Sequence, residues 1–187
     1  MEFYKNHIEG FMNERELIWL YEKAIMLTQV NPVVVELGSW HGRSAFSIAN
    51  GLAIKDSPNL VCIDTWVLKE GKLIDPDAAK VAFQKTVEEI KKLFAISVRT
   101  IDQDTWAAAE HFPDETVDMI FIDAGHDYNS VIEDLSRWVP KVKVGGLICG
   151  HDYVTGRGGV VKAVNKFFGK GGVHKVAGTS IWETRAK

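Results

Sequence analysis

Carboxylate side chains end several of the apolar runs in this sequence. Glu36, Asp64, Asp123 and Asp152 each close, or nearly close, a run of residues typical of a buried strand. Carboxylates accept hydrogen bonds from hydroxyl groups and attract cations. Because the carboxyl ends of parallel strands meet at one edge of a sheet, where ligands bind in open α/β folds, we expect these four groups to line one ligand site.

A glycine turn follows the first of these runs. The β-branched residues 33–35 lead to Gly38 and Gly42, and residues 44–49 then have helical spacing. Glycine lets the backbone turn sharply and approach a ligand closely, and the helix that follows points its amide N–H groups at that ligand. Strand, glycine turn and helix together are the opening unit of a nucleotide-cofactor α/β fold.

The spacing of the turn excludes two common phosphate-binding motifs. Counted from Gly38, Trp40 and Arg43 stand where a dinucleotide fingerprint has its second and third glycines. Gly42 is followed by Arg43 and Ser44, whereas a Walker loop needs Gly-Lys-Ser or Gly-Lys-Thr. What remains is the pattern Glu-x-Gly-x-x-x-Gly.

Two further turns have both a ligand-binding and a structural interpretation. Asp64 ends the predicted strand 60–66, about 20 positions past the glycine turn, and is well placed to accept both hydroxyls of a ribose. The alternative is an aspartate that caps a helix. The turn at 103–106 either holds an adenine edge or supplies Asp104 or Thr105 as a helix cap.

The elements that must position these residues are further βα units. We predict strands at 60–66, 96–101, 117–123 and 144–150, with 144–146 as a turn feeding the last, and a terminal antiparallel pair at 173–176 and 179–182. Asn13 and Glu16 have the spacing of a capping box at the start of an N-terminal helix that runs through Leu27 and ends before Asn31-Pro32. Glu133 and Asp134 fall outside the apolar face of the helix after the fourth strand.

Length and composition are those of one α/β domain. The 187 residues are 46% hydrophobic and 25% charged, with a net charge of −3 that gives no drive toward nucleic acid or anionic membrane. We expect a single domain over 1–187, with an N-terminal arm and helix at 1–30 and a core at 31–187. Cys62 and Cys149 lie in apolar runs and are expected to be reduced core residues. Neither a membrane span nor a signal peptide is recognisable, so a cytoplasmic protein is expected.

The motifs resemble those of class I S-adenosylmethionine-dependent methyltransferases. The first motif is the Glu-x-Gly-x-x-x-Gly turn, whose acidic residue suits a cationic amino-acid cofactor. More specific are Asp123-Ala-Gly-His-Asp-Tyr128, then Gly145-Gly146 and His151-Asp152-Tyr153. This series is similar to the family that groups cephalosporin-hydroxylase-like and macrolide-sugar O-methyltransferases, distantly related to catechol O-methyltransferases. The resemblance implies a Rossmann-like, mostly parallel seven-stranded sheet with a C-terminal antiparallel hairpin and helices on both faces.

The resemblance also assigns cofactor-binding positions. The residues it implies around S-adenosylmethionine are Glu36, Gly38, Ser39, Gly42, Ser44, Asp64, Thr65, Thr105, Trp106 and Asp123. Glu36, Gly38 and Gly42 would surround the methionine part. Asp64 and Thr65 would lie at the ribose, and Thr105 and Trp106 at the adenine.

A divalent cation, magnesium or manganese, is implied at a second group of residues. Asp123, His151 and Asp152 match the metal positions of the metal-dependent members, and His151 departs from the usual Asp-Asp or Asp-Asn pair. Imidazole suits transition ions better than magnesium. Such an ion would lower the pKa of an acceptor hydroxyl, and His126, close after Asp123, is the expected general base.

The function expected from these residues is methyl transfer to a hydroxyl group of a small molecule. Two alternatives stay open: an NAD(P)-dependent oxidoreductase, and an S-adenosylmethionine-binding protein without transferase activity. Residues 1–12, 67–76 and 154–159 are expected to be the substrate loops. Trp40, Trp66 and Trp106 look exposed, and the sequence does not decide between a pocket and a partner surface. It leaves homo-oligomerisation open as well.

Overall fold

A computed structural model describes residues 8–67 and 75–187, so the predicted loops 1–12 and 67–76 lie largely outside the described residues. The helices are α1 (Glu14–Ile25), α2 (Arg43–Leu52), α3 (Pro76–Leu93), α4 (Thr105–Ala108), α5 (Tyr128–Trp138) and α6 (Gly158–Phe168). The strands are β1 (Val33–Leu37), β2 (Asn59–Asp64), β3 (Ser97–Asp102), β4 (Val117–Ile122), β5 (Val142–Gly150), β6 (His174–Lys175) and β7 (Trp182–Arg185).

The strands of the described chain form one seven-stranded sheet in the order β3-β2-β1-β4-β5-β7-β6. Strands β1 to β5 pair in parallel, whereas β7 is antiparallel to both β5 and β6. The mostly parallel sheet with a C-terminal antiparallel pair, predicted from the sequence, is therefore confirmed.

The order of the strands reverses between β1 and β4. From β1 the chain builds outward through β2 to β3, and it then returns to place β4 on the other side of β1. Open α/β sheets bind ligands at such a switch point, outside the carboxyl ends of the strands. The glycine turn leaves β1 here, and Asp123 directly follows β4.

Two apolar layers cover the two faces of the sheet. One layer is contributed by α1, α2 and α3 and includes Leu20, Phe46 and Phe83. The other is contributed by α4, α5 and α6 and includes Leu135 and Trp138. Helices thus lie on both faces, and the carboxyl edge of the sheet is left for polar side chains.

Several boundaries differ from the sequence predictions. Strand β5 begins at Val142 and runs through the glycines expected to form a turn, because Gly145 and Gly146 bond to Ala186 of the terminal segment. Strand β7 begins at Trp182, where the predicted strand ended, because its residues pair with β5 from Gly150 back to Leu147. Both differences come from tertiary pairing, which local sequence patterns do not report.

The N-terminal helix begins as predicted. The Asn13 side chain accepts the Glu16 N–H at 3.2 Å, and the Glu16 carboxylate accepts the Asn13 N–H at 2.9 Å. The helix ends at Ile25, earlier than the predicted end before Asn31-Pro32. None of the helices in the described ranges combines the length and the apolar character that a membrane crossing requires.

Candidate functional site

The turn after β1 requires glycine at two positions. Gly38 has φ +82°, and a Cβ there would lie 2.1 Å from the Asp123 carbonyl oxygen. Gly42 has φ +85°, precedes α2, and a Cβ there would lie 2.8 Å from Cγ2 of Thr86. Positive φ and the close approach of neighbouring atoms both exclude larger residues. The predicted sharp turn is therefore present and packs directly against Asp123, the residue that follows β4.

Glu36 is a fully buried carboxylate beneath this turn. Burial raises its pKa to about 7, and the nearby hydroxyls of Ser39 and Ser44 oppose the rise. Within the described residues, neither carboxylate oxygen has a hydrogen-bond partner of ordinary geometry, and the same is true of the Ser39 hydroxyl. Buried polar groups without partners are rare and costly, so this part of the turn is suited to a polar ligand.

Asp64 holds the glycine turn against the segment that follows β2. Its Oδ2 accepts the Trp40 N–H at 2.8 Å and its Oδ1 accepts the Trp66 N–H at 2.7 Å. The Trp66 indole donates to the Trp40 carbonyl at 2.9 Å, and both tryptophans have positive φ. Burial raises the pKa of Asp64. Asp64 thus caps a turn rather than a helix.

The predicted aromatic and ribose-side positions divide into buried and accessible groups. Trp66 is 2% exposed and belongs to the core, contrary to its exposed appearance in the sequence, whereas Trp106 is 44% exposed and Trp40 is half-buried. Thr65, beside Asp64, is half-buried, and its hydroxyl accepts the Val67 N–H at 3.3 Å.

The turn before α4 is joined to α5. The Thr105 hydroxyl donates to Asp134, and the Trp138 indole donates to the Thr105 carbonyl at 2.9 Å. Asp134 is 3% exposed, so its expected position outside the buried face of α5 is wrong. The Thr105 hydroxyl is therefore occupied by the protein itself, and its role toward adenine stays a prediction.

A cluster of charged groups lies on the other side of the turn. Asp123 follows β4, His126 precedes α5, and Asp152 follows β5. The Nε2 atom of His126 lies 2.9 Å from Oδ2 of Asp152 and 3.9 Å from Oδ1 of Asp123. One donor atom from each residue falls within 4.8 Å of the other two. Asp152 has φ +60°, a strained value of the kind that concentrates at functional sites.

His151 lies beside this cluster with carboxylates near both ring nitrogens. Its Nδ1 is 3.7 Å from Oδ1 of Asp123 and 3.6 Å from Oδ1 of Asp152, and its Nε2 is 3.2 Å from Oε1 of Glu16. The sequence grouped His151 with the two aspartates as metal ligands, whereas the closest set of donors contains His126 in its place. Glu16 was not among the predicted site residues, because its capping-box spacing explained it fully.

The alternating charges of this cluster shift each other's pKa values. Asp123 and Asp152 raise the pKa of His126 to about 9. Burial lowers the pKa of His151, but Asp152, Glu16 and Asp123 together raise it to about 10. Burial also opposes ionisation of Asp152, yet the two imidazoles hold its pKa well below the ordinary value. Burial raises the pKa of Asp123. A cluster of carboxylates and imidazoles with shifted pKa values can bind a cation or exchange a proton with a ligand.

Comparison with known proteins gives a family match and several structural relatives. A family model described as a methyltransferase domain matches residues 35–153. An uncharacterized protein of Sinorhizobium fredii, y4gI, is 24% identical over 120 residues, which are 64% of this chain but only 13% of that much longer protein.

Solved structures share the fold at low identity. A protein from Corynebacterium glutamicum has a TM-score of 0.72 and 13% identity, with 95% of this chain and 82% of that chain covered. CalS11, a TDP-rhamnose 3′-O-methyltransferase of calicheamicin biosynthesis, has a TM-score of 0.66 and 15% identity, with 91% of this chain and 78% of that chain covered. An O-methyltransferase from Bacillus cereus has a TM-score of 0.66 and 16% identity, covering 96% and 83%. Because the family model spans well over half of the chain, the chain belongs to the family of methyltransferase domains.

Proposed function

We propose that this chain transfers a methyl group from S-adenosylmethionine to a hydroxyl group of a small molecule. The observation that carries the proposal is the Glu36 carboxylate, which is buried beneath a glycine turn, near the Ser39 and Ser44 hydroxyls, and has no hydrogen-bond partner of ordinary geometry among the described residues. A cationic ligand at that turn would satisfy it, and the amino-acid part of S-adenosylmethionine carries an ammonium group.

The other cofactor contacts that we propose follow the carboxyl edge of the sheet. Asp64, the last residue of β2, would accept the ribose hydroxyls, and Thr65 lies beside it. The remaining proposed contacts are Gly38, Ser39, Gly42 and Ser44 around the amino-acid part, Thr105 and Trp106 near the adenine, and Asp123. Two proteins of the same fold support this choice of cofactor: the Bacillus cereus enzyme was solved with S-adenosylhomocysteine and TomG of Streptomyces achromogenes with S-adenosylmethionine.

Bound S-adenosylmethionine supplies an electrophilic methyl group on a sulfonium. In the proposed reaction, the chain holds the acceptor hydroxyl in line with that group, and such orientation contributes roughly 7–11 kcal/mol in intramolecular reactions. Nδ1 of His126 accepts the hydroxyl proton, because Nε2 is the ring nitrogen paired with Asp152, at 2.9 Å; that carboxylate fixes the ring and stabilises its charge. Only the neutral ring can accept a proton, and the two aspartates that raise its pKa favour the charged form. We therefore expect turnover to increase toward pH 9.

A divalent cation is a second way to activate the hydroxyl, and the clustering of Asp123, His126 and Asp152 favours it. Two carboxylates and an imidazole form a donor set better suited to manganese than to magnesium. The ion would supply Lewis-acid activation of the hydroxyl. His126 would then be a ligand and not the base, and His151, the sequence-predicted ligand, would lie behind the aspartates.

A thermal-shift series tests the proposal. The full chain is heated with S-adenosylmethionine, S-adenosylhomocysteine or NAD, each with EDTA or with added manganese. Ligand at 100 times its dissociation constant adds about 2.7 kcal/mol, which for this size raises the melting temperature by roughly 5–10 °C. We expect shifts with both sulfur nucleotides and none with NAD. A shift with NAD alone would support the oxidoreductase alternative instead.

Two controls separate cofactor binding from metal binding. The Asp64→Asn variant should lose most of the shift with S-adenosylhomocysteine, because one oxygen that accepts from ribose becomes an amide. The Asp152→Asn variant should keep that shift and lose any additional shift with manganese. Unchanged cofactor affinity in Asp64→Asn and Glu36→Gln together would contradict the proposed cofactor site.

A further inference from the structure

Glu16 brings a carboxylate of the N-terminal helix into the charged cluster. It lies outside residues 35–153, which the family model matches, and is 2% exposed. One oxygen, Oε2, accepts the Asn13 N–H at 2.9 Å and completes the helix cap. The other, Oε1, accepts the Ser180 N–H at 2.8 Å and lies 3.2 Å from Nε2 of His151. The cap therefore uses only one half of the carboxylate.

The His151 ring is held between carboxylates on both sides. Glu16 lies at Nε2, whereas Asp123 and Asp152 lie 3.7 Å and 3.6 Å from Nδ1. The His151 backbone is fixed as well, because its N–H donates to the Ile122 carbonyl at 3.1 Å. With the backbone fixed, the ring orientation depends on the groups at its two nitrogens, and Glu16 is the group on the outer side.

We infer that Glu16 is a positioning residue of the proposed methyl-transfer site. It orients the His151 ring, and the ring in turn holds the Asp123 and Asp152 carboxylates, whose oxygens lie 3.9 Å and 2.9 Å, respectively, from Nε2 of His126. This inference rests on the proposed function for its catalytic meaning. Partners that orient the residues of a site from behind commonly change activity by about 10- to 100-fold when they are removed, and we expect a fall in kcat of that size for Glu16→Ala.

A purely structural role for Glu16 makes a different prediction. Glu16 also joins α1 to the terminal hairpin through Ser180. If that were its whole role, its removal would lower stability and leave the distant His126 ring unchanged. In a positioning role, the effect passes through His151 and Asp152 and reaches His126, which Glu16 does not contact.

Histidine-ring NMR at one fixed pH separates the two roles. The full chain is labelled with ¹⁵N-histidine, and His126 and His151 are assigned with His126→Gln and His151→Gln. In Glu16→Ala we expect the ring ¹⁵N signals of both histidines to change their chemical shifts. The His151 signals should also broaden, because the ring loses the Glu16 carboxylate beside Nε2. Glu16→Gln keeps the volume of the side chain and removes only the charge that pairs with Nε2 of His151 at 3.2 Å, so we expect smaller shifts in the same direction.

Two variants control for loss of stability alone. Asn13→Ala removes the other half of the same helix cap and leaves the Glu16 carboxylate in place. Asp118→Asn removes the charge of a different buried carboxylate, which accepts hydrogen bonds from the Val33 N–H and the Lys143 ammonium. Neither should move the rings of His126 or His151. Unchanged ring signals in both Glu16 variants would overturn the inference, and so would equal shifts in Asn13→Ala. If Glu16→Ala does not fold, Glu16→Gln alone decides.

Calorimetric titration with S-adenosylhomocysteine keeps this test separate from the proposed function. Glu36 and Asp64 lie on the other side of the glycine turn from Glu16. We therefore expect the two Glu16 variants, Asn13→Ala and Asp118→Asn to bind S-adenosylhomocysteine with dissociation constants within about twofold of that of the unmodified chain. A loss of 1.4 kcal/mol in binding free energy would instead raise the dissociation constant about tenfold. If the unmodified chain does not bind, the proposed function fails, while the ring spectra still decide whether Glu16 positions His151.

Discussion

Two buried carboxylates of this chain have opposite surroundings. Asp118 accepts the Val33 N–H at 2.8 Å and the Lys143 ammonium at 2.7 Å, so it is satisfied by the protein itself. Glu36 is equally buried and has no such partner among the described residues. A buried group without a partner lowers stability unless a ligand satisfies it. At the scale of single residues, this contrast distinguishes a structural carboxylate from one reserved for a ligand.

Glu36→Gln should stabilise the ligand-free protein at high pH. The pKa of Glu36 rises from 4.5 to about 7, so its ionisation lowers the stability of the folded state as pH rises from about 4.5 through 7. This rise in pKa corresponds to a loss of roughly 3 kcal/mol at most in the free energy of unfolding. Urea denaturation at pH 5 and pH 8 should therefore show a more favourable effect of the substitution at pH 8, together with weaker binding of S-adenosylhomocysteine.

Asp118→Asn is the matched control for that prediction. Because its carboxylate is paired with a lysine and a backbone amide, the substitution should be destabilising at both pH values. If Glu36→Gln also destabilised equally at pH 5 and pH 8, the assignment of Glu36 as an unsatisfied carboxylate would be wrong.

At the scale of elements, the turn from β1 to α2 depends on the contact between Gly38 and the residue that follows β4. Gly145 allows the effect of this contact to be separated from the effect of backbone strain. Gly145 has φ +78°, close to the +82° of Gly38, but a Cβ there would have no atom within 4 Å in the described structure. The two positions therefore share the left-handed backbone and differ in the contact.

Gly38→Ala should be much more damaging than Gly145→Ala. The second substitution costs only the left-handed backbone of alanine, roughly 1–2 kcal/mol. The first adds a collision with the Asp123 carbonyl oxygen at 2.1 Å, which is backbone and cannot rotate away, and overpacking of this kind costs about 1–3 kcal/mol more. Urea denaturation and titration with S-adenosylhomocysteine measure both effects. Equal losses in the two variants would mean that the close approach of β1 and β4 is not required.

At the scale of the whole molecule, the charged cluster joins parts of the chain that are far apart in sequence. Glu16 comes from α1, Asp123 and His126 from the β4–α5 turn, and His151 and Asp152 from the end of β5. Ser180 of the terminal hairpin bonds to Glu16. The titration of the cluster should therefore affect the stability of the domain as a unit.

The free energy of unfolding should fall as pH rises from about 6.5 to 10. His126 and His151 have folded-state pKa values of about 9 and 10, above the ordinary 6.5, so their stabilising effect is complete below 6.5 and is lost as pH rises through the folded values. Urea denaturation at pH 6, 8 and 10 measures the slope. His126→Gln should make the slope shallower, whereas His174→Gln, at an exposed position of the hairpin, should leave it unchanged. A His126→Gln slope as steep as that of the unmodified chain would contradict the ion-pairing of His126.

The sequence by itself determined the fold class and which residues stand at the carboxyl edge of the sheet. Runs of β-branched residues, glycine turns and helical spacing are local signals, and a parallel sheet collects its strand ends at one edge. The edge positions of Glu36, Asp64, Asp123 and Asp152 follow from those signals alone. The capping box at Asn13 and Glu16 was equally local and is present.

Only the tertiary structure decided which of these residues meet. Thr105 and Asp134, or Glu16 and His151, are far apart in sequence, and their contacts depend on how helices pack across the sheet. The burial of Trp66 and the start of β7 at Trp182 depend in the same way on partners elsewhere in the chain. The resemblance grouped His151 with Asp123 and Asp152 because these positions match the metal positions of the metal-dependent family members. The fold brings His126 nearest to Asp152 and turns His151 toward Glu16, because ring orientation is set by the groups packed around it and not by position along the strand.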